Sequence, residues 1–147
     1  MTSRTTHLAL RGTAAFCALA NAVIHLSLVP SHLREMPYIG ILFLVGSVVM
    51  LAVAAALALQ RQPFGAWLIG AITSIGMIIG FLLSRTVGLP DYREAGWEPP
   101  YGVLSLVVEG IFVLTFLAWL RESGAGRVAD LGSREAPRMK APPARLP

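Results

Sequence analysis

The chain predicts an all-α integral membrane protein, a four-helix antiparallel bundle with both termini in the cytoplasm, and three observations carry that reading. Of its 147 residues 55% are hydrophobic and 14% charged, and its mean hydropathy is +0.66, too apolar for a soluble domain of this size. The excess lies in four runs, 8–29, 38–59, 64–83 and 103–120, each near the ~20 residues an α-helix needs to cross a bilayer. Basic residues are divided unevenly among the segments outside those runs, which fixes an orientation. The bilayer is thus the first expected partner, and no nucleic-acid partner is expected.

The runs are expected to be helices because an unpaired backbone group is costly in lipid, and short connections make consecutive helices antiparallel neighbours. A closed β-barrel would need alternating apolar and polar positions, which 45–59 lacks.

The first run is preceded or opened by Arg4 and Arg11 and contains Cys17, Asn21 and His25 at i, i+4 and i+8, on one helical face. A rival reading takes this run as a cleaved signal peptide, with small residues around Ala18, Ala20 and Ala22, but apolar residues continue to Val29. Pro30 disfavours the helical conformation of Val29, which predicts a helix end there and an outer loop over 31–36. The single cysteine, Cys17, excludes an internal disulfide.

Pro37 suits the first turn of the second helix. That helix offers Gly46, Ser47 and the alanines of 52–56 for close packing. A tight turn at Arg61, Gln62 and Pro63 leads into the third helix, with Trp67 expected as an interfacial anchor. On that helix Gly76, Gly80 and Ser84 recur every four positions, a smooth stripe where another backbone can approach. The long link 84–101 holds Arg85, Asp91, Tyr92, Arg93, Glu94, Trp97, Glu98 and Tyr101, and Gly88, Leu89, Pro90 and Asp91 read as a turn within it. Trp97, Tyr101 and Tyr38 fit an interfacial aromatic belt.

The fourth run contains Glu109, a carboxylate about a third of the way into the apolar stretch, with Ser105 on the same face. A charge at that depth costs roughly 2.5–3.5 kcal/mol on insertion scales and usually turns toward other helices. The domain is expected to close at 122, and 123–147 reads as a basic, Gly- and Pro-rich cytoplasmic tail, disordered by composition.

Nine basic residues (Arg4, Arg11, Arg61, Arg121, Arg127, Arg134, Arg138, Lys140, Arg145) fall in the terminal segments and second link, against three (Arg34, Arg85, Arg93) in the other two links. The positive-inside rule then predicts a multi-pass protein of the cytoplasmic membrane with both ends inside. If the outer helix ends lie near Val29 and Val103, His25 sits about 6 Å deep and Glu109 about 9 Å deep, by the helical rise. The two can meet.

Four interpretations of this cluster stay open. It can be an internal network in which Arg85 or His25 satisfies Glu109. It can be a ligand or proton-linked site built from His25, Glu109, Arg85, Asn21 and Asp91. It can hold a metal ion, the one cofactor considered, through His25, His32 and Glu35. An enzyme using His25 and Glu109 as an acid–base pair is the remaining alternative, although the sequence supplies no nucleophile or cofactor motif. The leading function is a small membrane protein whose outward-facing His/Glu/Arg cluster binds a small ligand, ion or partner. The alternative is an accessory subunit that packs on another membrane protein, or on a second copy, through the Gly76, Gly80 and Ser84 face.

The stretches HLREMPYIGILFLVGSVVMLAVAAAL and SRTVGLPDYREAGWEPPYGVLSLVVEG resemble those of small four-helix integral membrane proteins of actinobacterial type, over 21–120, and the general shape is similar to DoxX-like proteins. The resemblance implies the four-helix membrane fold, points to His25, His32, Gly40, 84–90 and Glu109 as positions of interest, and implies no particular activity.

Overall fold

The computed structural model describes residues 2–97 and 99–135 and contains four helices, α1 (Thr2–Glu35), α2 (Pro37–Leu59), α3 (Phe64–Arg85) and α4 (Tyr101–Glu135). All four are long and apolar enough to cross a membrane. In α2, α3 and α4 only 28% of the most apolar stretch is buried, and the outward-facing residues include Leu42, Val48, Ile72, Ile79 and Leu114. A surface so continuously apolar is suited to lipid rather than water.

Helix α1 packs against α2 and α4, and α3 completes the set against α2 and α4. Two boundaries differ from the sequence reading. Helix α1 does not end at Val29: Pro30 lies inside it and the helix runs on to Glu35, so the expected loop over 31–36 reduces to Met36. Proline removes one donor from the ladder, the one that would reach Leu26 O, yet the helix continues, with side chains beyond the proline turned back onto its backbone. Ser31 Oγ donates to Leu28 O, and His32 Nδ1 lies 2.9 Å from the same oxygen. Helix α4 continues past Leu120 to Glu135, through Ala125, Arg127, Ala129 and Leu131, and the next proline is Pro137. The remainder of the expected tail, 136–147, lies outside the described residues.

The turn after α1 is possible because Gly40 has no side chain. A Cβ there would stand 2.6 Å from the backbone nitrogen of Leu33, so α2 leaves Met36 in direct backbone contact with α1. At the far end of α2, Arg11 donates from Nε to Leu57 O at 2.6 Å and from one terminal nitrogen to Ala58 O and Gln60 O. These carbonyls have no partner within the helix, and a guanidinium beside them also complements the helix dipole. Arg11, counted in the sequence only as an orientation signal, thus also ties α1 to the end of α2.

The four helices are divided in character along their length. The apolar core is formed by Ala14, Cys17, Ala18 and Ala22 of α1, Met50, Val53 and Leu57 of α2, Ala66, Trp67 and Ala71 of α3, and Val108 and Phe112 of α4. Trp67, expected at the membrane interface, is fully buried in that core, its ring 5.2 Å from Trp119 and nearly parallel to it, with Phe112 and Phe116 alongside. The ring is too large to leave that stack without opening a void, so packing holds it inside the bundle at the start of α3. The other halves of the same helices enclose a cavity.

Candidate functional site

A cavity of about 370 Å³ is bounded by His25, Leu28 and His32 of α1, Phe43 and Gly46 of α2, Met77, Gly80 and Ser84 of α3, and Ser105 and Glu109 of α4. Each polar wall residue is placed by helical phase. Cys17, Asn21 and His25 share one face of α1 and all are buried, as are Ser105 and Glu109 on α4. Because α1 stays helical through Pro30, His25 and His32 are two turns apart on the same side. Both rings rest on Phe43, at 4.9 and 4.7 Å between centroids. The break expected between the two histidines is absent, and Phe43, which the sequence reading passed over, is the contact that unites them.

His25 Nε2 lies 3.8 Å from Glu109 Oε1, the meeting that the depth estimate allowed. This is an ion-pair distance but not a hydrogen bond. Both Glu109 oxygens are buried without any hydrogen-bond partner, although the residue is 1% exposed. The His25 ring is oriented by its other nitrogen: Nδ1 is 3.1 Å from the carbonyl oxygen of Asn21. A carbonyl can only accept, so Nδ1 carries the hydrogen and, in the neutral ring, Nε2 is an acceptor. Three acceptor atoms, Oε1, Oε2 and Nε2, therefore converge at the cavity wall.

Arg85 also borders the cavity, yet its ion pair is with Glu94, at 4.0 Å, and not with Glu109. It donates to Gly96 O and to Ser84 Oγ, and its guanidinium lies 3.6 Å over the ring of Phe81. Tyr92 donates to the Glu94 carboxylate. Asn21 is fully buried and bonds Met77 Sδ from its amide nitrogen, behind the cavity wall. Asp91 is exposed, with φ 54°, in the turn where Leu89 and Tyr92 exchange backbone hydrogen bonds and Gly88 has φ 87°. Aspartate tolerates that conformation, so its place is explained by the turn. Glu35 is exposed at the end of α1 while His32 is buried, and among the described residues no three His, Cys, Asp or Glu side chains gather as a metal would require.

The stripe of Gly76, Gly80 and Ser84 has a different use from the one expected. A Cβ added at Gly76 or Gly80 would meet nothing within 4 Å, and both glycines border the cavity. Close backbone approach occurs instead at Gly40, while Gly46 makes room for the end of the Met77 side chain and Gly70 for the Phe112 ring. Gly76 and Gly80 leave open the space that Glu109 also borders.

The chain matches no protein-family model, no curated protein and no solved structure in the comparisons made.

Proposed function

We propose that this chain is a multi-pass protein of the cytoplasmic membrane, its four helices antiparallel and both termini inside, whose outward-facing cavity binds a small ligand through Glu109 and His25. The observation that carries the reading is the pair of Glu109 carboxylate oxygens, buried and without partners, at the wall of a cavity of about 370 Å³. A buried polar group left unbonded costs about 1–3 kcal/mol. Trp67 Nε1 and Ser74 Oγ are also buried without partners, but neither residue borders this cavity, whereas Glu109 is at its wall, where a ligand can supply the missing bonds. The cavity also falls in the range of roughly 300–1,000 Å³ typical of small-molecule sites, apolar walls with a few convergent polar atoms.

The test is thermal unfolding of the purified protein across a panel of divalent and cuprous ions and of organic cations running from methylamine to long-chain alkylamines. A ligand that binds only the folded state raises the midpoint by mass action. The expected result is a rise with at least one member of the panel that is lost in both Glu109→Gln and His25→Ala. No rise with any member, together with strong destabilisation by both substitutions, assigns the cluster to folding alone.

Orientation is tested separately with introduced thiols. Arg93→Cys is expected to react with a membrane-impermeant reagent from outside and Gln62→Cys only from inside; the reverse pattern overturns the topology.

A second reading, an accessory subunit of a membrane complex, is favoured by the exposure of Gly76 beside the cavity. A helix of another protein or of a second copy could seat there. Under that reading Gly76→Leu disrupts assembly and leaves every small-ligand shift unchanged.

A further inference from the structure

We infer that the ligand of this cavity is an amphiphile drawn from the lipid phase, an aliphatic amine or similar cation with an apolar body, which enters sideways between α2 and α3. The inference rests on the binding role proposed for Glu109 and His25 and adds the ligand's class and route.

The head group follows from the atoms at the wall. Oε1 and Oε2 of Glu109 have no partner, and His25 Nε2, an acceptor by its tautomer, stands 3.8 Å from Oε1. With Glu109 ionised and His25 neutral, two acceptors at that separation cannot satisfy each other, and a donor placed between them satisfies both. An ammonium group has three donors and no acceptor, matching three acceptors. Charge agrees with this. Among the Asp, Glu, Lys and Arg residues bordering the cavity, Arg85 is paired with Glu94, so no Lys or Arg side chain there neutralises an ionised Glu109 and an entering cation can do so. The ring of Phe43, against which both histidines lie, adds an aromatic face favourable to a cation.

The body and the route follow from the walls. Leu42 and Val45 of α2 border the cavity and are also 59% and 54% exposed on the outside of the protein, and Gly76 faces them from α3 as an exposed residue. The opening therefore lies on the lateral surface between two apolar helices, where a spanning protein meets acyl chains. At the helix ends the cavity is roofed by the α3–α4 link. Tyr38 Oη donates to Pro90 O, the Glu94 amide donates to Ser84 O, and Leu89 and Tyr92 form part of the wall. A water-soluble ion would have to pass that roof, whereas a lipid-dissolved molecule needs only to slide past glycines.

The experiment places the protein in lipid nanodiscs and measures the thermal midpoint with n-decylamine, n-decanoic acid and methylamine. Wild type is expected to rise with n-decylamine and not with the acid of the same chain length or with methylamine. The rise is expected to vanish in Glu109→Gln, which removes the anionic head contact, and in Gly80→Leu, which fills the apolar space. Gly76→Leu serves as a second filling variant should Gly80→Leu unfold. Equal n-decylamine shifts in wild type and all variants would mark a general effect on the bilayer and overturn the inference.

A methylamine or metal-ion shift that is lost in Glu109→Gln but retained in the leucine variants would leave the site in place and refute the lipid-phase ligand. No shift with any probe in this series or in the ion panel would refute both.

Discussion

Glu109→Leu is expected to make the protein more stable by about 2 kcal/mol while abolishing ligand binding. The sign is the informative part. Removing one member of a satisfied buried ion pair leaves the other charge stranded and typically costs 3–5 kcal/mol. Glu109 is not held that way: neither oxygen accepts a hydrogen bond and its nearest ionisable group, His25 Nε2, stands at 3.8 Å. Leucine has comparable bulk and no polar atoms to desolvate, so replacing the carboxyl group removes a cost of about 1–3 kcal/mol. Stability gained at the expense of a binding group is the usual exchange at functional sites. The measurement is reversible thermal or detergent unfolding of both proteins in the same lipid. Glu122→Gln, at an exposed position on α4, is the control and is expected to change nothing. A fall in the Glu109→Leu midpoint would show that the carboxylate is part of a structural network.

Much of this arrangement follows from periodicity. Four apolar runs of bilayer length specify four helices, and helical rise and phase alone bring His25 of α1 level with Glu109 of α4. Chain statistics are weaker where one residue type serves two opposite ends. A glycine stripe marks either a backbone contact or a space, and Gly40 and Gly80 are one of each; only the neighbouring helix decides. Pro30 shows the same ambiguity. Its local preference is to end a helix, yet α1 runs on to Glu35, and that continuation brings His32 into the wall. Trp67 can serve an interface or a core, since indole suits both, and its neighbours Phe112, Phe116 and Trp119 show that it also packs inside the bundle. Phe43 carries no signal in the chain, since an aromatic in an apolar run is ordinary, whereas Tyr92 lies in a link marked by its polar content.

Phe112→Ala is expected to destabilise the protein by about 3 kcal/mol, whereas Phe43→Ala is expected to cost far less and to alter ligand binding. The contrast follows from the lengthwise division of the helices. Phe112 is fully buried, its ring 6.1 Å from that of Trp67 and seated in the space that Gly70 leaves open. Truncating a buried Phe in a close-packed core costs about 3–5 kcal/mol through lost contacts and the void that remains. The lower end applies because lipid, unlike water, gives the separated helices an apolar surrounding, so packing rather than water exclusion is what is lost. Phe43 is only partly buried and borders a cavity already, so its removal enlarges a space instead of creating one. The stability of the protein is thus concentrated around Trp67 and Phe112, which leaves the half containing His25 and Glu109 free to remain hollow. Unfolding midpoints of the two variants, measured beside ligand shifts, check this directly. Equal destabilisation by both would mean that the cavity end bears the fold as much as the aromatic end does, and the separation of support from site would fail.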